Sequence, residues 1–178
     1  MGVGIIICGM NGSGKSTLGR ALAEALGYHF IDNEDLYFPK TDPNYMYATQ
    51  RTQEEVEKLL MDEVKEHGDF VFAAVRGIYG EDIVPFYDYA VLIEVPRDVR
   101  LERVRERSFK KFGDRMLEGG DLHEREKAFF ELVASRSEDY AEEWVKTLKC
   151  PIIRVDGTKP IEENVTIILR QIEIKEVH

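Results

Sequence analysis

Val3-Gly4-Ile5-Ile6-Ile7-Cys8-Gly9-Met10-Asn11-Gly12-Ser13-Gly14-Lys15-Ser16-Thr17 is the stretch from which the rest of the chain is read. Val3–Cys8 is a short β-branched run without a polar residue, as expected of a central parallel strand buried on both faces. Gly9 to Ser16 fits the phosphate-loop pattern G-x-x-x-x-G-K-[ST]. Each position has a physical role. The glycines let the backbone turn so that successive N–H groups point inward around phosphate oxygens, and the helix that begins after Gly14 adds its partly positive end. Lys15 reaches the β- and γ-phosphates and the Ser16 hydroxyl ligates Mg²⁺, while Asn11, Gly12, Ser13 and Thr17 complete the cradle. The bare pattern arises by chance, but here it lies between a buried strand and a helix, which is its confirming context.

Outward from the loop, strands and helices alternate. Thr17–Leu26 has helical spacing on Leu18, Leu22 and Leu26, with Gly27 at the stop position. Tyr28–Ile31 reads as a second strand ending in the polar cluster Asp32-Asn33-Glu34-Asp35, and Leu36–Tyr47 as irregular and aromatic, broken by Pro39 and Pro43. Thr52–His67 is an amphipathic helix on Val56, Leu59, Leu60 and Val64. Phe70–Val75 and Ala90–Val95 are further buried strands, and a helix starts near Asp98. Arg105–Lys127 is crowded with charges of both signs and reads as an exposed, mobile segment. A second long helix is expected from Leu122 or Glu124 to Val145, then a strand at Pro151–Val155 and a last helix from Pro160. Five strands alternating with helices predict an α/β fold: a three-layer P-loop domain with a five-stranded parallel sheet and right-handed crossovers. No internal repeat or low-complexity tract is visible.

The 178 residues match the length prior for one domain, roughly 100–200 residues. Apolar residues make up 43%, enough for a sizeable core, and no apolar run approaches the roughly 20 residues that span a bilayer. Lys and Arg total 24 against 34 Asp and Glu, a net charge of −10, which argues against nucleic-acid or anionic-membrane partners. An anionic substrate must be met by a local cluster of cations. Cys8 and Cys150 lack metal-ligand spacing and no leader pattern opens the chain, so we expect a reducing, cytoplasmic setting without disulfides.

A phosphate loop specifies a nucleotide but no reaction. The N-K-x-D and D-x-x-G elements of GTPase switches do not occur. Motor and transporter ATPases usually end a strand with an acid that organises Mg²⁺ and water, whereas here the third strand ends in Val75-Arg76. That favours phosphoryl transfer to an anionic acceptor over hydrolysis.

With the loop near its N-terminus, a short second strand and a charged late segment, the chain resembles small-molecule kinases of the nucleoside-monophosphate-kinase type. Shikimate kinase is nearest in layout, with adenylate kinase and gluconate kinase close by. The resemblance implies ATP and Mg²⁺ as cofactors, an acceptor-binding insert at about 36–61 and a lid at about 105–127 within a single domain. Asp32-Asn33-Glu34 looks like the shikimate-kinase D-x-D, whose first acid helps hold Mg²⁺ and whose second binds the acceptor hydroxyl. Arg51-Thr52-Gln53-Glu54 is similar to the R-x-x-E of the acceptor-binding helices, and Arg136 with Tyr140 to the R-x-x-x-Y that follows the lid. Arg76-Gly77 ends a strand at the edge where open α/β sheets bind ligands. Arg51, Arg76 and Arg136 would then converge on one anion of the acceptor. Arg115-Met116-Leu117 resembles the lid R-P-L-L without its proline, and Arg107 is a second lid cation for the transferring phosphoryl group. Asp156-Gly157-Thr158 lies where the family wraps a loop around adenine.

The aromatic group Tyr37, Phe38, Tyr45 and Tyr47 fits either stacking on a nucleobase or packing of a small subdomain. His29, His67, His123 and His178 show no pairing that suggests a metal. The expected activity is transfer of the ATP γ-phosphoryl to a small-molecule acceptor, by a monomer or homodimer. Glu34, one methylene longer than the family's Asp, and the absent lid proline tip the acceptor toward a nucleoside or nucleotide. The alternatives are a shikimate-like hydroxy acid, or a nucleotide-binding regulatory module or slow NTPase.

Overall fold

A computed structural model describes residues 2–176, so His178 lies outside the described residues. The order is β1 (Gly4–Cys8), α1 (Lys15–Leu26), β2 (His29–Asp32), α2 (Asn33–Tyr37), α3 (Gln53–His67), β3 (Phe70–Ala73), β4 (Tyr89–Glu94), α4 (Arg97–Phe112), α5 (His123–Ser135), α6 (Tyr140–Val145), β5 (Ile152–Asp156) and α7 (Ile161–Glu176). The strands form one parallel sheet in the order β2-β3-β1-β4-β5. β1 is central and wholly buried, as its apolar run requires.

Alternation along β1 builds two cores. Ile6 and Cys8 face α3 and α6, packing with Val56, Leu60, Val64 and Trp144. Ile5 and Ile7 face α1 and α7, packing with Leu18, Leu22, Ile168 and Ile172. The result is the expected helix–sheet–helix sandwich. Each fully buried aliphatic side chain contributes about 1.5–3 kcal/mol relative to exposure. α3 starts where Thr52 and Glu55 form a reciprocal capping box and stops at Gly68.

Three local expectations need correction. The helix expected through Val145 is interrupted: Arg136 is extended (φ −66°, ψ 135°), ends α5, and α6 restarts at Tyr140. The residues at the break carry no glycine or proline, so the periodicity reads straight through them. Segment 105–127 is not uniformly exposed. α4 continues to Phe112, a 3₁₀ turn covers Gly113–Met116, and Ser108, Leu122 and Glu126 are buried. Finally, the stretch expected to be irregular from Leu36 starts inside a helix, because the Asp32 side chain caps α2 by accepting from the Glu34 N–H at 2.9 Å and the helix runs to Tyr37.

Candidate active site

β1 lies between β3 and β4, so the chain leaves it toward one side of the sheet and later returns on the other. The loop after β1 therefore sits at the topological switch point, outside the carboxyl ends of the strands. Gly12 and Gly14 adopt left-handed φ of 82° and 93°. At Gly12 a Cβ would also lie 2.3 Å from the Arg100 carbonyl oxygen, so no larger residue fits.

The loop separates two hollows. On one side a cleft of about 350 Å³ is lined by Ser13, Gly14, Thr17, Arg103, Gly157 and Asn164. Two buried polar atoms here have no hydrogen-bond partner among the described residues: Ser13 Oγ and Asn164 Oδ1. Asn164 is held in place because its amide donates to the Asp156 carbonyl at 2.8 Å. The free acceptor suits an exocyclic amine of a nucleobase. Asp156 and Thr158 are exposed and shape the turn around Gly157: the Asp156 carboxylate accepts from Thr158 N and Oγ1 at 2.9 and 2.6 Å.

On the other side a cavity of about 280 Å³ holds Asn11, Lys15, Ser16, Asp32, Glu34 and Arg107. Lys15 Nζ donates to the Met10 carbonyl at 3.2 Å. Burial, with Arg107 nearby, pulls its pKa down to about 8. Burial would raise the Glu34 carboxyl, but the Tyr47 hydroxyl and the Lys111 ammonium outweigh it and hold Glu34 below its ordinary value. The aromatic insert forms one wall. Phe38, Tyr45 and Tyr47 line the cavity with Phe112 and Phe129, and Tyr45 and Phe112 rings lie 5.4 Å apart. Tyr37 instead packs on Tyr79 outside this wall.

Of the three arginines, Arg76 and Arg136 meet at one ring, while Arg51 turns to the backbone of α2. Arg51 donates to the carbonyls of Asp35 and Leu36 at 3.2 and 2.9 Å, closing the end of α2. Arg76 stacks 3.8 Å over Tyr140 and donates to its hydroxyl. Arg136 lies 5.3 Å from the same ring and donates to Asn11 Oδ1 at 2.6 Å. Gly77 is buried, and a Cβ there would lie 2.6 Å from the Trp144 indole. Arg115 pairs with both oxygens of Asp121 and donates to the Asn44 carbonyl at 2.6 Å, tying the turn after α4 to the stretch between α2 and α3. A Cβ at Gly9 would lie 2.6 Å from Ser13 Oγ, so the start of the loop has no room for a side chain.

Sequence reasoning missed several residues. Arg100, 2% exposed, donates to the Val95 and Asn11 carbonyls and grips the Glu138 carboxylate. Arg103 bridges the Gly12 and Gly157 carbonyls at 3.4 and 3.1 Å. Both sit on the face of α4 that turns to the loop, where an apolar-pattern search does not look. Glu126 is also new. It is 3% exposed and lines the cavity beside Lys15, with Oε1 accepting from the Tyr45 hydroxyl at 3.2 Å and Oε2 unpartnered among the described residues. Its only sequence signal is an acid at a position where α5 faces inward.

Residues 5–128 match the family model described as an AAA domain. An uncharacterized protein of Bacillus subtilis, YqaC, is 28% identical over 93% of this chain and 94% of its own length. A shikimate kinase of Gloeobacter violaceus is 32% identical over 79% of this chain and 80% of its own. Among solved structures, shikimate kinase from Aquifex aeolicus superposes with a TM-score of 0.58 at 22% identity, covering 98% of this chain and 99% of that one.

Proposed function

The chain belongs to the AAA-domain family of P-loop proteins and is an ATP-dependent small-molecule kinase of the nucleoside-monophosphate-kinase and shikimate-kinase type, and on that premise we propose that its acceptor is a nucleoside or nucleoside monophosphate. One observation carries the choice of acceptor. Glu126 lines an aromatic-walled cavity and carries a buried carboxylate oxygen without a partner among the described residues, which together call for a hydrogen-bond donor on an aromatic ligand. A base whose N–H reaches Glu126 while its face lies against this aromatic wall satisfies both requirements.

In this reading ATP lies along the loop, with its base toward Asn164 and its γ-phosphoryl at Lys15. Transfer is mainly positioning and charge neutralisation. The Lys15 ammonium and the loop amides hold the phosphates, and Arg107 and Lys111 approach the transferring group from the lid. Ser16 and Asp32 line one cavity and offer the hard oxygen donors that Mg²⁺ prefers. When bound there, the ion supplies neutralisation of phosphate charge. Glu34, kept ionised by its neighbours, accepts from the acceptor hydroxyl and orients it for in-line attack.

The test is a mass-spectrometric product screen with ATP, Mg²⁺ and pooled nucleosides, nucleoside monophosphates, shikimate and gluconate. A phosphorylated nucleoside or nucleotide, absent with Lys15→Met, is the expected product. Glu126→Gln should then raise the acceptor KM roughly tenfold while leaving the KM for ATP unchanged. Phosphorylation of shikimate or another hydroxy acid alone would overturn the choice of acceptor. ADP without any phosphorylated acceptor would point to the NTPase alternative.

A further inference from the structure

Far from the loop, at the outer edge of the sheet, the structure corrects the reading of the histidines as incidental. β2 is an edge strand, and His29 lies on the same side as Ile31, turned toward α3. Glu63 and His67 lie four residues apart on the last turns of α3, so their side chains share one helix face. The fold brings the three together. His29 Nε2 is 2.6 Å from Glu63 Oε2, His67 Nε2 is 3.6 Å from the same oxygen, and the two rings stack with centroids 3.6 Å apart. One ligand atom from each residue falls within 4.8 Å of the other two.

We propose that His29, Glu63 and His67 form a binding site for a divalent late first-row metal ion such as Zn²⁺ or Co²⁺. Two imidazoles and one carboxylate are the donor set those ions favour, whereas Mg²⁺ and Ca²⁺ prefer all-oxygen sites. Zn²⁺ sits about 2.0–2.1 Å from imidazole nitrogen, so tetrahedral ligand atoms stand ~3.3 Å apart. The observed 2.6 and 3.6 Å spacings bracket that value. The ion needs only a small outward shift of the Glu63 carboxylate and a fanning of the two rings. Both are inexpensive, because the three side chains are about one-third exposed. One position of the tetrahedron remains for water, and the site ties the edge strand to α3. It is independent of the kinase reading, and its test uses no nucleotide.

Untagged, chelator-stripped protein is titrated with Co²⁺ and followed by visible absorption. The expected result is one equivalent of Co²⁺ with d–d bands of an imidazole-bound ion, displaced by Zn²⁺. Zn²⁺ should also raise the Tm. Glu63→Gln and His67→Ala, checked for folding by circular dichroism, should each weaken Co²⁺ binding beyond the roughly 10–100-fold that loss of an outer-shell partner costs. They should also abolish the Tm rise. Absence of bands in the native protein would overturn the proposal and leave the cluster as a polar contact between β2 and α3. The proposal would fail equally if binding persisted unchanged in both folded variants.

Discussion

Lys15 is an ammonium drawn into the protein interior beside Arg107 and Arg136, with only the Asp32 carboxylate as a nearby formal counter-charge. Its pKa falls from 10.5 to about 8, so the folded state disfavours the proton more than the unfolded chain does. The cost is present in full below about pH 8 and is relieved as pH rises toward the unfolded value. Lys15→Met should therefore stabilise the nucleotide-free protein at pH 7 by about 1–2 kcal/mol, allowing for solvent in the cavity, while abolishing turnover. Urea unfolding checks this, and a less stable variant would refute the account. The same shift governs binding. A polyphosphate favours the protonated lysine, so ATP affinity should be flat at neutral pH and weaken by up to roughly tenfold per pH unit above 8, with proton uptake. Calorimetry at pH 8.5 in buffers of different ionisation enthalpy would reveal that proton.

At the scale of elements, α4 is the brace of the site. Arg100 and Arg103 on one face reach the carbonyls of Asn11, Gly12 and Gly157, so one helix registers the phosphate loop against the turn after β5. The far end of α4 carries Arg107, Lys111 and Phe112 into the acceptor cavity. Charged hydrogen bonds to carbonyls are worth about 1.5–3 kcal/mol. Arg103→Ala should raise the KM for ATP by roughly tenfold, with little change in acceptor KM, because the loosened groove lies on the nucleotide side of the loop. Steady-state kinetics with each substrate varied in turn decides it. An equal rise in both KM values would mean that α4 as a whole had moved.

For the whole molecule, one sheet separates two cores. Leu22 on α1 and Leu60 on α3 are both fully buried, on opposite faces. Each Leu→Ala change should cost about 2–5 kcal/mol in urea unfolding. Because the sites share no partner, the double variant should lose the sum of the two within about 0.5 kcal/mol. A larger deviation would show that the sheet transmits packing strain between its faces.

How much of this was legible in advance follows from the range of each interaction. Strand β1, the phosphate loop and α1 are written in local spacing: an apolar run, glycines at fixed offsets, then leucines at helical intervals. Those rules act over a few residues, and so the alternation that predicts a parallel sheet was readable too. The break at Arg136 was not: its side chain reaches Asn11, 125 residues away, a contact that no local window contains. The targets of Arg51 and Arg76, the buried acid Glu126 facing Tyr45, and the meeting of His29 with Glu63 and His67 were likewise out of reach. Each residue is unremarkable in its own neighbourhood and acquires its chemistry from a partner on another element. The sequence by itself determined the sheet, the phosphate cradle and the kinase-like layout, since these rest on local backbone and patterning physics. Only the tertiary structure decided which charges are spent on the scaffold and which face a ligand, because hydrogen bonding and desolvation depend on distances the chain sets only once it is folded.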